Sequence, residues 1–124
     1  MKLDAIKIRV DELVILADST LATTYTSFDD KYIKSEAFSE FRSASLSFLK
    51  SVFGTDHPFY TDFSKEVRDI SPYMVEKGKG ILKAAKQEIY GGWIFTVKAL
   101  VSAEIFSDFL EMAEYLLNEG YKDP

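Results

Sequence analysis

Apolar residues recur along the chain at steps of three and four, the spacing that gathers side chains on one face of an α-helix. Leu3, Ile6, Val10, Leu13 and Ala17 form the first such row. Ile8, Ile15 and Leu16 widen it, so a helix over 2–24 is expected to be gripped on more than one side. The stretch TTYTSFDDKYIKS follows. Its 25–34 portion reads as a loop with weak β character, because no partner strand occurs elsewhere in the chain. Ser35 then caps a second helix, 36–53, with Phe38, Phe41, Ser45, Phe48 and Val52 on its inner face and Leu49 and Phe53 beside it. Small residues at Ser43, Ala44, Ser45 and Ser47 allow a neighbouring helix to come close, and Gly54 ends the element.

Two further starts carry proline signatures. Asp56 as cap and Pro58 in the first turn open a short third helix, 57–69, with Phe59, Phe63 and Val67 facing inward. Ser71 and Pro72 open a fourth, 72–90, through Met74, Ile81, Leu82, Ala85 and Ile89. Gly78 and Gly80 each weaken that helix by about 1 kcal/mol relative to alanine, so their presence implies close backbone packing. YGGW at 90–93 breaks the pattern. The fifth helix, 94–119, is the most strongly patterned: Val97, Val101, Ile105, Phe109, Met112 and Leu116, broadened by Phe106, Leu110, Ala113 and Leu117. So wide an apolar face suits either the centre of a bundle or an interface. The expectation is an all-α bundle of five helices in a single domain, 1–124.

Composition changes this picture in a few places. Phe supplies ten of the aromatics, so the core leans on phenylalanine. There is no cysteine, which removes disulfides and thiolate chemistry and suits a reducing compartment. Asp4, Asp11 and Glu12 interrupt the first apolar stretch, against a signal peptide, and no apolar run is long enough to span a membrane. A cytoplasmic location is expected. The net charge of −5 disfavours non-specific nucleic-acid binding, which draws on phosphate neutralisation. The charge is uneven: residues 72–103 hold five lysines against two glutamates, while 104–124 hold six acids against one lysine.

Candidate chemistry is sparse. His57 is the only histidine, and as a residue between Asp56 and Pro58 it reads as a turn or helix-start group before it reads as a proton shuttle. One histidine and no cysteine leave no zinc-type ligand set, and neither a metal nor a cofactor is expected. Glu104, Asp108 and Glu111 share a face opposite an apolar stripe, and Asp29–Asp30 lie in a loop without a third ligand. KGKG at 77–80 sits inside a helix rather than at its start, where phosphate loops expose their amides. Lys77, Lys79, Lys83 and Lys86 could bind an anion or simply form a soluble surface. Trp93, after two glycines, suits a turn anchor or an interface residue.

The segments EFRSASLSFLKSVFGTDHPFYTDF (40–63), GILKAAKQEIYGGWIF (80–95) and LVSAEIFSDFLEMAEYLLNEGYKDP (100–124) resemble the N-terminal helical region of a group of uncharacterised prokaryotic proteins. Some members of that group continue into a segment similar to HEPN proteins. HEPN ribonucleases are marked by an Arg followed a few residues on by a His. Here Arg42 is the nearest arginine before His57, so the residues for that chemistry are missing. The resemblance implies an excised domain, with Asp123–Pro124 as the start of a further helix.

The expected function is a non-catalytic interaction or oligomerisation module. Its partner would be a second copy or the missing C-terminal segment, through Trp93, Val101, Ile105, Phe106, Phe109, Met112, Ala113 and Leu116. The alternative is an accessory nucleic-acid or nucleotide-binding domain, with Lys77, Lys79, Lys83 and Lys86 on the phosphates and Tyr90 and Trp93 as stacking surfaces.

Overall fold

A computed structural model describes residues 3–91 and residue 111. Among them are four helices, α1 (Leu3–Leu21), α2 (Ser35–Phe53), α3 (Pro58–Glu66) and α4 (Pro72–Tyr90), with two short strands, β1 (Tyr25–Ser27) and β2 (Asp30–Tyr32), between the first two. The chain is thus mostly helical, as its periodicity requires. The expected fifth helix, 94–119, lies outside the described residues.

α1 packs against α2 and α4, and α3 against the same two helices, so the four close into a ring around one core. Asp11 of α1 faces Lys86 and Tyr90 of α4, and Asp18 faces Lys79, so α1 and α4 run antiparallel. α2 and α3 do the same: Phe53 meets Phe59 edge to face, and Arg42 reaches Val67. The core rows are those the spacing marks: Ile6, Val10, Leu13 and Ala17 from α1, and Phe38, Phe41, Phe48, Leu49, Val52 and Phe53 from α2. Ser45 is buried among them with its hydroxyl unpartnered, so the packing uses its small size and not its polarity.

α4 follows its signals closely. Ser71 Oγ accepts from the Met74 N–H and Pro72 fills the first turn. Its buried face is Val75, Gly78, Leu82, Ala85 and Ile89, whereas Met74 and Ile81 of its apolar row are only half-buried. Gly78 meets the expectation of close packing: a Cβ there would lie 2.9 Å from Phe63 Cε2 and 3.0 Å from Phe41 Cε2. Gly80 does not, with nothing within 4 Å of where its Cβ would be.

The largest correction is at 25–34, which forms a hairpin with itself. Tyr25 pairs with Tyr32, Thr26 with Lys31 and Ser27 with Asp30. Phe28 and Asp29 make a two-residue turn with φ of 52° and 68°, the positive pair of a type I′ turn. Helix ends shift as well. α1 stops at Leu21 because Thr20, Thr23 and Thr24 turn their hydroxyls onto the carbonyls of Leu16, Thr20 and Leu21. Ser35 is the first residue of α2 rather than its cap, a position taken by Lys34 without a side-chain bond. α3 is capped by His57 and not Asp56, and it ends at Glu66, short of 69.

Candidate functional site

The lysine face of α4 is a seam more than an open surface. Lys79 Nζ lies 2.6 Å from Asp18 Oδ1, and Lys86 Nζ 2.9 Å from Asp11 Oδ1, both acids belonging to α1. Tyr90 donates its hydroxyl to Asp11 Oδ2 at 2.5 Å, while Lys7 and Lys86 sit over its ring. Asp11 Oδ1 is covered while the rest of its side chain stays partly exposed, and it has Lys86 as counter-ion. Lys77 covers the ring of Tyr73, and Lys83 is exposed. The four lysines of the expected anion site therefore divide: two in ion pairs across the α1–α4 packing, one over an aromatic ring, one facing solvent.

The cluster fixes charge and does not poise it. The hydrogen bond from Tyr90, and then Lys86, hold the Asp11 carboxyl below its ordinary range. Asp11 in turn pushes the Lys86 ammonium and the Tyr90 hydroxyl up. Every shift moves away from neutrality, whereas proton transfer at neutral pH works best with a group that titrates there. The arrangement can latch two helices together.

His57 and Arg42 also carry structure. Nδ1 of His57 accepts from the Phe59 N–H at 3.0 Å, and its ring packs between Phe53 and Phe59. Arg42 Nε donates to the carbonyl of Val67 at 2.7 Å, closing the other end of α3, where a cation also suits the helix dipole. Along the axis, α3 spans about 13 Å at 1.5 Å per residue, which keeps the two basic groups apart. No group of three or more His, Asp or Glu side chains stands ready for a metal among the described residues. No helix among them is long and apolar enough to cross a membrane.

Among the described residues apolar side chains face outward at several places, Ile70 included. Ile8 and Ile15, seven residues apart on α1, are 61% and 63% exposed: α2 and α4 do grip α1 on two sides, but these two members of its wide stripe lie in neither contact. At the hairpin tip Phe28 is 96% exposed. An L-residue pays about 1–2 kcal/mol for the left-handed conformation, and for a bulky side chain it is an outlier. Tyr25 and Tyr32 stack on each other at 5.6 Å and brace the hairpin, while Ile33 and the bond from the Lys34 N–H to Thr23 Oγ1 anchor its base. Asp29 completes the tip and Asp30 follows it as the first residue of β2.

A groove of about 380 Å³ runs between α1 and α2, lined by Ala5, Arg9, Ala44, Ser47, Phe48 and Ser51. Ala44 and Ser47, expected to admit a neighbouring helix, line this groove on the side where α2 packs against α1.

The sequence pattern singled out neither the tip nor the groove. The symmetry of YTS–FD–DKY was a usable signal for the hairpin, masked because its turn has neither glycine nor asparagine. The expected interface set, Trp93, Val101, Ile105, Phe106, Phe109, Met112, Ala113 and Leu116, lies outside the described residues.

No protein-family profile, curated protein or solved structure matches the chain.

Proposed function

We propose that this chain is a non-catalytic helical interaction module whose partner is a second copy of itself. The observation that carries the reading is the outer face of α1, where Ile8 and Ile15 stand in line, both more than half exposed. Burying an isoleucine fully is worth about 1.5–3 kcal/mol, so two copies meeting there gain from four side chains at once. A symmetric pair is the commonest way to cover such a patch. The apolar row through Val101, Ile105, Phe109, Met112 and Leu116 supports the same reading from the sequence alone. The nucleic-acid reading is the weaker one, since Lys79 and Lys86 already face carboxylates.

The test is sedimentation equilibrium of the 124-residue chain up to several hundred micromolar. A dimer is expected, and Ile8→Asp with Ile15→Asp should weaken it at least 100-fold without unfolding the domain, because both positions are exposed. A wild type that stays monomeric over that range ends the reading.

A further inference from the structure

Resting on that self-association, we infer that the dimer is built by a knob and a hole: Phe28 of each copy enters the α1–α2 groove of the other, and Asp29 and Asp30 meet the groove's rim.

The knob is strained and unrewarded within its own chain. Phe28 holds a φ of 52° with nearly its whole surface in water, and the two nearby tyrosines stack on each other instead of on it. Strain of this kind persists where function uses the geometry. The hairpin presents an aromatic ring with two carboxylates next to it.

The hole has the complementary character. Phe48, Ala5 and Ala44 supply apolar walls, and Arg9, Ser47 and Ser51 supply donors. None of these lining residues is acidic. Arg9 spends one nitrogen on Glu12, at 3.3 Å, and a guanidinium has five N–H donors, so it keeps others for a carboxylate. The space is ample, since a cavity of about 150 Å³ already accepts benzene, the ring of phenylalanine.

Position then selects the second copy. The hairpin joins the end of α1 to the start of α2, while the groove lies toward the start of α1 and the later half of α2. Arg9 and Leu21 are about 18 Å apart along α1, farther than a three-residue strand of about 10 Å reaches back, so a tip does not fill its own groove. A two-fold axis crossing the helices places each tip at the other copy's groove and makes the contact twice. Along α1, Ile8 lies level with the groove and Ile15 between groove and tip, so the knobs register the apolar face already described.

The decisive variant is Phe28→Asn. Asparagine tolerates the left-handed turn, so the hairpin is kept and only the knob is lost. Sedimentation equilibrium of the full chain is expected to show at least a tenfold weaker dimer, with a thermal midpoint, taken at concentrations where both proteins are monomeric, no lower than wild type. Arg9→Glu should weaken it similarly, and adding Asp29→Arg and Asp30→Arg to that variant should restore it. A wild-type dimer that Phe28→Asn and Arg9→Glu leave unchanged overturns the knob and hole while self-association stands. A monomeric wild type ends both. Should Phe28→Asn lower the midpoint, the charge reversal and its rescue decide alone, and failure of rescue overturns the proposal. As a second measurement, a photo-reactive phenylalanine analogue at position 28 should cross-link to residues 44–51 of another copy. A cross-link confined to other segments overturns it.

Discussion

Phe63 and Phe28 are the same residue put to opposite use. Phe63 is buried without remainder, 5.8 Å from Phe41 and tilted against it, and α4 offers a glycine so that both rings fit. Phe28 stands in water on a turn that would rather hold asparagine or glycine. Around Phe63 the chain gives up helix propensity at Gly78 and recovers it in packing. At Phe28 it accepts backbone strain and recovers nothing inside the fold. Such a residue is what the proposed contact with a second copy would account for.

The strongest way to break that contrast is to remove the inner ring. Phe63→Ala should lower unfolding free energy by about 3–5 kcal/mol, the usual loss for a buried phenylalanine. Against a total of about 5–15 kcal/mol for a domain, that is a large share. Urea titration followed by circular dichroism measures it. A loss under about 1 kcal/mol would mean that the Phe41–Phe63–Gly78 contact does not hold α3 to the ring.

The glycines sharpen the contrast within a single helix. Alanine in place of a mid-helix glycine gains about 1 kcal/mol where space is free. Gly80→Ala should show that gain, because nothing lies near its new methyl. At Gly78 the methyl would push into two buried rings at 2.9 and 3.0 Å. Overpacking of this kind costs about 1–3 kcal/mol, which outweighs the gain, so Gly78→Ala should be neutral to about 2 kcal/mol destabilising. A gain at Gly80 with none, or a loss, at Gly78, in the same denaturation assay, is the expected result. Equal gains at both sites would show that the rings yield freely.

How far these differences could be read in advance depends on the range of the interaction. The start of α4 was legible because Ser71 and Pro72 act on their own turn, and the core rows were legible because burial repeats with the helical period. Gly78 could be suspected of close packing but not told from Gly80, since the distinction lies in Phe41 and Phe63 on other helices. The lysine face looked open in sequence because its carboxylates, Asp11 and Asp18, come from α1, more than sixty residues earlier. Ile8 and Ile15 looked like core because an apolar residue on the outer side of a helix breaks the rule that the periodicity relies on. The hairpin was missed for a local reason: each strand is three residues long, and its turn uses Phe–Asp where the favoured pairs contain glycine.

Tyr90 stands between the two phenylalanines, 47% exposed and held by its hydroxyl instead of its ring. Its contribution should therefore depend on pH where theirs does not. Asp11 has a folded pKa below its ordinary 3.8, so its part is present above that value and is lost as pH falls through the lower, folded one. Tyr90 and Lys86 have folded values above 10.0 and 10.5, so their part is present below those and is lost as pH rises through the raised ones. Stability attributable to the latch is thus a plateau across neutral pH with an edge at each end. Tyr90→Phe keeps the ring and its cations but removes the donor. Its difference from wild type should be constant from pH 5 to 9 and shrink in strong acid, once Asp11 is protonated and has less to gain from the hydroxyl. Solvent and salt reach this site, so the effect should be the smallest of those predicted and should fall as ionic strength rises. A Tyr90→Phe difference that persists undiminished in strong acid would show that the hydroxyl serves packing and not the carboxylate. Tyr90 would then belong with Phe63 on the inner side of the comparison.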